Sequence, residues 1–260
     1  MRHELRLFLI ALQFLTRVPV PRSVGWSDAW MQQSARHFPA VGLVVGGFGA
    51  AVLWAAAHGF SALIAVLLSM AATVWMTGAF HEDGLADTCD GLGGAVSRER
   101  ALQIMKDSRL GTYGAVGLLL VLALKAAALH GLAVRDFAAA LAALPLAHAV
   151  SRAAAVSLLR ALPYGGDPDH AKAKPLAQQL DGVGPAVVTV WVALATAVAA
   201  LYWDARGLLW AGVVAVGVTV FMTRWLRRRL GGHTGDALGA TQQFCELGIY
   251  LALLASLSQR

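Results

Sequence analysis

Phe60-Ser-Ala-Leu-Ile-Ala-Val-Leu-Leu-Ser-Met-Ala-Ala-Thr-Val-Trp-Met-Thr-Gly-Ala-Phe80 runs without a charged residue and gives way at once to His81-Glu-Asp-Gly-Leu-Ala-Asp-Thr-Cys-Asp-Gly91. The first stretch approaches the ~20 apolar residues that an α-helix needs to cross a bilayer. The second puts four carboxylates, Glu82, Asp83, Asp87 and Asp90, within nine residues. So dense a negative charge beside an oily segment repels itself unless a cation neutralises it. If the segment is helical, Asp83, Asp87 and Asp90 stand at i, i+4 and i+7 and project from one side. Carboxylate oxygens there suit a hard divalent ion, and Mg²⁺ is the ion expected.

The same oily character extends over the chain. Of 260 residues 58% are hydrophobic and 14% charged, against roughly 25% charged in soluble domains. Apolar runs near 38–58, 60–80, 110–133, 137–160, 184–203, 207–226 and 240–258 predict an all-α, polytopic integral membrane helical bundle with about seven transmembrane helices. The first run starts late and is followed directly by another, which argues against a cleavable signal. No separate soluble domain is expected, so residues 1–260 form one membrane-embedded catalytic domain. Ahead of the spans, Leu5, Phe8, Leu9, Leu12 and Leu15 recur at helical spacing until Pro19 and Pro21. This predicts an N-terminal amphipathic helix, lying in the membrane interface or packed on the bundle. Cys89 and Cys245 read as small packing residues, not a disulfide.

Basic residues orient the bundle. With seven spans, the N-terminus and the segments 81–109, 160–183 and 226–240 share one face, which carries Arg2, Arg6, Arg17, Arg22, Arg36, Arg98, Arg100, Lys106, Arg109, Arg160, Lys172, Lys174, Arg224, Arg227, Arg228 and Arg229. The opposite face has Arg135, Arg206 and Arg260, and Lys125 and Arg152 fall within spans. The positive-inside rule places the first face, with the acidic motif and every long loop, in the cytoplasm. Arg227, Arg228 and Arg229 read foremost as a membrane-flanking anchor.

His81 could act as a general base or a zinc ligand, but no second His or Cys stands at zinc-site spacing, so oxygen ligation is favoured. Lys106-Asp-Ser-Arg-Leu-Gly-Thr-Tyr-Gly114 offers cations for a phosphate; Lys106 and Arg109 share a face if the segment is helical, and Asp107 could add a metal oxygen. Gly231-Gly-His-Thr-Gly-Asp-Ala-Leu-Gly-Ala-Thr-Gln-Gln-Phe-Cys-Glu246 runs into the last span. Thr234 and Gly235 could present helix-start amides to an anion, and Asp236 and Gln243 are i and i+7. Glu246 at lipid depth is either a functional group or polar glue between helices. His148, Ser151 and Arg152 occupy one stretch, where Arg152 is a structural residue or a phosphate ligand. Lys125 and His130 read as packing residues, and Asp167, Asp169 and His170 as solvated connector. With no Walker loop, serine elbow or redox signature, phosphoryl-group transfer at a membrane surface fits best, a positioned hydroxyl attacking a metal-neutralised diphosphate and an Asp or His taking its proton.

At these residues the chain resembles the cobalamin synthase family, the adenosylcobinamide-GDP ribazoletransferases. The resemblance rests on Ala11-Leu-Gln-Phe-Leu-Thr-Arg-Val-Pro-Val20, Phe38-Pro-Ala-Val-Gly42, His81–Gly91, Met105–Gly114 and Gly232-His-Thr-Gly-Asp-Ala-Leu-Gly-Ala240 with Glu246. It implies a magnesium-dependent enzyme of the bacterial cytoplasmic (inner) membrane that joins adenosylcobinamide-GDP to α-ribazole or its 5′-phosphate and releases GMP. It implies that Glu82, Asp83, Asp87 and Asp90 form the metal and diphosphate site, that Lys106 and Arg109 touch phosphate, and that Asp236 with Glu246 is a second acidic element. Arg152 and Thr234 complete the expected substrate contacts, and His81, Asp83, Asp87 and Asp90 the catalytic set, with the base unassigned. Substrates and lipid are the expected partners, with no nucleic acid; a homo-oligomer and a corrinoid-pathway complex both stay open. Leu162–Lys174 departs from the family pattern, because glycines follow Tyr164 where relatives tend to carry a basic residue.

Two other readings compete. Asp87-Thr-Cys-Asp90-Gly91 resembles the first half of the CDP-alcohol phosphotransferase signature, but the second half is missing. A divalent-cation transporter could use Glu246 and Asp236, yet the acids cluster at one surface instead of reaching through the bilayer.

Overall fold

The computed structural model describes residues 2–166 and 180–257. Among them lie eleven α-helices: α1 (Arg2–Leu15), α2 (Asp28–Ser34), α3 (Phe38–Ala56), α4 (Ala62–Thr77), α5 (Phe80–Gly93), α6 (Arg98–Met105), α7 (Thr112–Arg135), α8 (Phe137–Ala161), α9 (Gly184–Ala199), α10 (Ala205–Arg229) and α11 (Gly235–Leu257). No strand forms among the described residues; an isolated bridge pairs Tyr164 with His233.

All seven apolar runs are helical, as α3, α4, α7, α8, α9, α10 and α11, but the count of seven spans is not reached. Four helical stretches are long and apolar enough to cross a membrane: Asp28–Ala56, Thr112–Arg135, Phe137–Ala161 and Ala205–Arg229. Ala62–Thr77 with Phe80–Gly93 makes a fifth if this pair, bent by 88°, is one broken span. The shortfall has two physical causes. Helix α9 has 16 residues, about 24 Å at 1.5 Å per residue, short of the ~30 Å hydrocarbon core. Helix α11 has the length, but its first half carries Asp236, Thr241, Gln242, Gln243 and Glu246.

Alanine-rich α8 lies at the centre, packed on α3, α7, α9, α10 and α11. Gly42 and Gly46 bring the backbone of α3 against it: a Cβ on Gly46 would stand 2.6 Å from the Leu144 carbonyl oxygen, and one on Gly42 would be 2.6 Å from the His148 carbonyl carbon. Two small residues four apart allow such approach, which gives helices in lipid their van der Waals contact. Outward on α7 and α10, Leu119, Leu120, Val213, Val216 and Phe221 are exposed, the surface a hydrocarbon solvent favours. Helix α1 buries Leu7, Ile10, Ala11, Leu12 and Leu15, in part against Val41, Val45 and Met76, and leaves Leu5 exposed.

Both ends of the bundle are tied by loops. At one end, Trp203 Nε1 donates to the Ala139 carbonyl (3.1 Å). At the other, Arg227 donates to the Ala161 carbonyl (2.9 Å), Arg229 to those of Leu92 (3.1 Å) and Gly94 (2.8 Å), and Arg98 to those of Leu230 (2.7 Å) and Gly165 (3.0 Å). The segments 81–109, 160–166 and 226–240 therefore meet at one end, as the basic-residue pattern predicts. Asp167, Asp169, His170 and the rest of 167–179 lie outside the described residues.

Candidate active site

The acidic segment is a helix, not a loop. Two successive residues with positive φ, Gly78 (67°) and Ala79 (60°), end α4 and turn the chain by 88° into α5. Gly78 adopts this left-handed conformation readily, but Ala79 does so at a cost of about 1–2 kcal/mol. Strain at this corner sets the direction of the helix that carries the carboxylates.

On α5, His81 and Glu82 are buried, Asp83 is exposed, and Asp87 and Asp90 are half-buried. The helix rests on the start of α11 because both backbones are bare at the crossing. A Cβ on Gly84 would stand 2.8 Å from the Asp236 carbonyl oxygen, and one on Gly239 would stand 3.3 Å from that of His81. This contact brings Asp236 beside the acidic helix. The charges of Asp83, Asp90 and Asp236 act on Asp87, and that of Asp83 acts on Asp236.

The four acids of the motif have separated environments. Asp90 accepts from the backbone N–H groups of Gly111 (Oδ2, 2.7 Å) and Gly114 (Oδ1, 2.7 Å), capping α7 from a neighbouring helix. Glu82 Oε1 accepts from Gln243 Nε2 (2.9 Å), while its buried Oε2 has no hydrogen-bond partner within the protein. Asp83 and Asp87, with Asp236 opposite, form the open part of the cluster. Among the described residues no group of three or more His, Cys, Asp or Glu side chains is arranged to hold a metal ion.

Several expected contacts sit differently from the sequence pattern. Helix α6 stops at Met105, so Lys106 and Arg109 share no helix face. Asp107 ends it: its carboxylate accepts from the Arg109 backbone N–H (3.1 Å) and pairs with the Arg109 guanidinium (Nη2–Oδ2, 2.5 Å), a local side-chain turn that competes with helix. Hydrogen bonding from Arg109 holds the Asp107 carboxyl down at about 2 and raises the Arg109 pKa. Asp107 is thus bound to Arg109 rather than facing the acidic helix. Thr234 is buried, and its hydroxyl accepts from the Ala237 N–H (3.2 Å), the N-cap of α11. Cys89 and Cys245 are free thiols in packed positions.

Glu246 and Arg152 are buried away from the surface cluster, at 1% and 2% exposure. Glu246 Oε1 pairs with Lys125 Nζ at 2.7 Å, and Arg152 Nη1 donates to the His148 carbonyl at 3.0 Å. Lys125, which reads as packing in the sequence, instead neutralises the carboxylate of the last helix. An ammonium at mid-span with a carboxylate elsewhere at lipid depth was the available signal. Near Tyr164, Gly165 and Gly232 touch backbone to backbone, a Cβ on Gly165 lying 3.0 Å from Gly232 Cα. The glycine after Tyr164 is required by that contact.

Comparison with known proteins places the chain in a family. The family model described as cobalamin-5-phosphate synthase matches residues 7–254. An adenosylcobinamide-GDP ribazoletransferase of Leptothrix cholodnii is 61% identical, covering 97% of this chain and 96% of that protein. Proteins of the same name from Vibrio cholerae (47%; 99% and 96% covered) and Shewanella amazonensis (43%; 99% and 98%) are also similar. No solved structure matches.

Proposed function

The chain belongs to the cobalamin-5-phosphate synthase family, and from that premise we propose that it joins adenosylcobinamide-GDP to α-ribazole or α-ribazole 5′-phosphate, releasing GMP. The observation that carries this reading is the apposition of Asp83 and Asp87 on α5 with Asp236 on α11, made possible by Gly84.

In the reaction a ribose hydroxyl oxygen attacks the phosphorus on the cobinamide side of the diphosphate. The bridging P–O bond breaks, its electron pair leaves with GMP, and the hydroxyl proton goes to a base. Asp83 is exposed and Asp87 half-buried, so a carboxylate of this cluster can take that proton.

Magnesium fits the donor set. This ion is commonly held by one or two carboxylates together with substrate phosphate oxygens and water, rather than by an all-protein cage. Asp83, exposed, and Asp87, half-buried, would supply one or two such carboxylates, with Asp90 engaged by backbone amides and Glu82 by Gln243. Bound there, Mg²⁺ would neutralise charge on the diphosphate. Lys106 and the cations at the same end, Arg98 and Arg109, favour an anionic substrate. By the positive-inside rule this end faces the cytoplasm, with the protein in the bacterial inner membrane.

The test is direct. Purified protein with α-ribazole and adenosylcobinamide-GDP should release GMP with Mg²⁺ and stop on chelation. Absence of GMP under these conditions rejects the activity; GMP release that persists after chelation rejects the metal assignment alone.

A further inference from the structure

Behind the acidic helix lies a chain of buried polar side chains that the proposed reaction does not use directly. Lys125 on α7 donates from Nζ to Glu246 Oε1 (2.7 Å) and to Gln243 Oε1 (3.2 Å). Gln243 donates from Nε2 to Glu82 Oε1 (2.9 Å) and to Gln242 Oε1 (3.0 Å). Gln242 donates from Nε2 to Ser151 Oγ (3.0 Å) and to Glu246 Oε2 (2.6 Å). All six residues are buried, at 8% exposure or less.

The direction of this chain follows from one residue. A lysine ammonium can only donate, whereas a glutamine amide has an accepting end and a donating end. Facing Lys125, Gln243 must present its oxygen, so its NH₂ is turned toward Glu82. Both amide hydrogens of Gln243 and both of Gln242 are then used. Without the ammonium, the Gln243 oxygen loses its donor and is left buried and unpaired, so the amide is held from its NH₂ side alone. In a low-dielectric interior that unpaired oxygen is costly, the side chain shifts to find a donor, and its hold on α5 weakens.

We propose that Lys125 is a positioning residue: its ammonium orients Gln243 so that the amide grips Glu82 and fixes the acidic helix α5 against α11. The activity arm of the test rests on the reaction proposed above; a second arm does not.

The experiment compares wild type with Lys125→Met, Lys125→Arg and Gln243→Glu in detergent, reading amide hydrogen exchange by segment. Gln243→Glu keeps the size of the side chain and an acceptor for Lys125 but removes the hydrogens donated to Glu82. Lys125→Met and Gln243→Glu should speed exchange across Phe80–Gly93 about fivefold or more while leaving α3 unchanged, and Lys125→Arg, still a pure donor, should stay within about twofold of wild type. In the GMP-release assay the same two variants should lower kcat about tenfold, with KM within about twofold. Unchanged exchange in 80–93, or an equal rise in α3, overturns the proposal. If Lys125→Met does not fold, Lys125→Gln is read in its place: it fills the space without a charge and can turn its own oxygen to Gln243, so exchange across Phe80–Gly93 should still rise, and exchange like that of Lys125→Arg overturns the proposal. A wild type that releases no GMP defeats the reaction and leaves the exchange arm to judge the strut.

Discussion

The carboxylate of Asp90 lies 2.7 Å from the backbone nitrogen of Gly114, so the last acid of the α5 motif serves as the cap for α7. Gly114 is bare because the carboxylate needs the space. A Cβ there would run into Asp90 and would stand 2.8 Å from the Ala86 carbonyl oxygen. Gly114→Ala should therefore cost about 2 kcal/mol, from a lost cap and an overpacked contact. Thermal unfolding in detergent checks it, and an unchanged midpoint would show that the cap is dispensable.

The Lys125–Glu246 pair should behave as a buried ion pair does. Glu246→Leu alone leaves an ammonium uncompensated, at a cost of about 3–5 kcal/mol. The double variant Lys125→Met with Glu246→Leu should recover most of that loss, because neither charge remains to be desolvated. A double variant whose loss equals the sum of the losses in Lys125→Met and Glu246→Leu would mean that the two charges are not coupled.

Asp83→Asn, Asp87→Asn and Asp236→Asn keep side-chain size but remove charge from the open cluster. Each should lower GMP release by about 10²-fold or more, as loss of a preorganised electrostatic group does. Each should still insert into membranes, which fractionation and detergent extraction report. Turnover at the wild-type level in any one would remove that residue from the site.

The three consecutive arginines at the end of α10 should separate on alanine substitution. Arg229 holds the carbonyls of Leu92 and Gly94 at the end of α5, while Arg228 is exposed. Arg229→Ala should cost about 1–2 kcal/mol and make the α5–α6 junction more susceptible to limited proteolysis. Arg228→Ala should leave the cleavage pattern as it is; matching patterns for both variants would make the pair of carbonyl contacts unimportant.

Asp107 is the immediate counter-ion of Arg109. Its carboxyl is held at about 2, below the ordinary value near 3.9, so the folded state favours the charged form. That preference is fully present above the ordinary value and is lost as pH falls through about 2. The pair should therefore not shape a pH profile between about 5 and 9. Asp107→Asn releases the guanidinium and should lower KM for the anionic corrinoid substrate, an effect that added salt weakens. A KM indifferent to the substitution would take Arg109 away from the phosphate.

Sequence periodicity located the helices well, because a lipid-crossing segment must satisfy its own backbone and stay apolar, and both demands are local. It missed the break at Gly78–Ala79, which needs a left-handed alanine that no pattern announces. It also grouped Glu82, Asp83, Asp87 and Asp90 as equals, since spacing along a helix says which residues share a side but not what faces them. Packing on α7 and α11 gave Asp90 to the Gly111 and Gly114 amides and Glu82 to Gln243.

By itself the sequence determined that this is a helical membrane protein with carboxylates and cations concentrated at one end, because hydrophobicity and charge are properties of residues in order. Which carboxylates remain open, that Asp236 joins them, and that Lys125 neutralises Glu246 were decided only by tertiary structure. Those relations join residues far apart in the chain, and the close approaches at Gly84 and Gly239 that create them depend on how two helices cross.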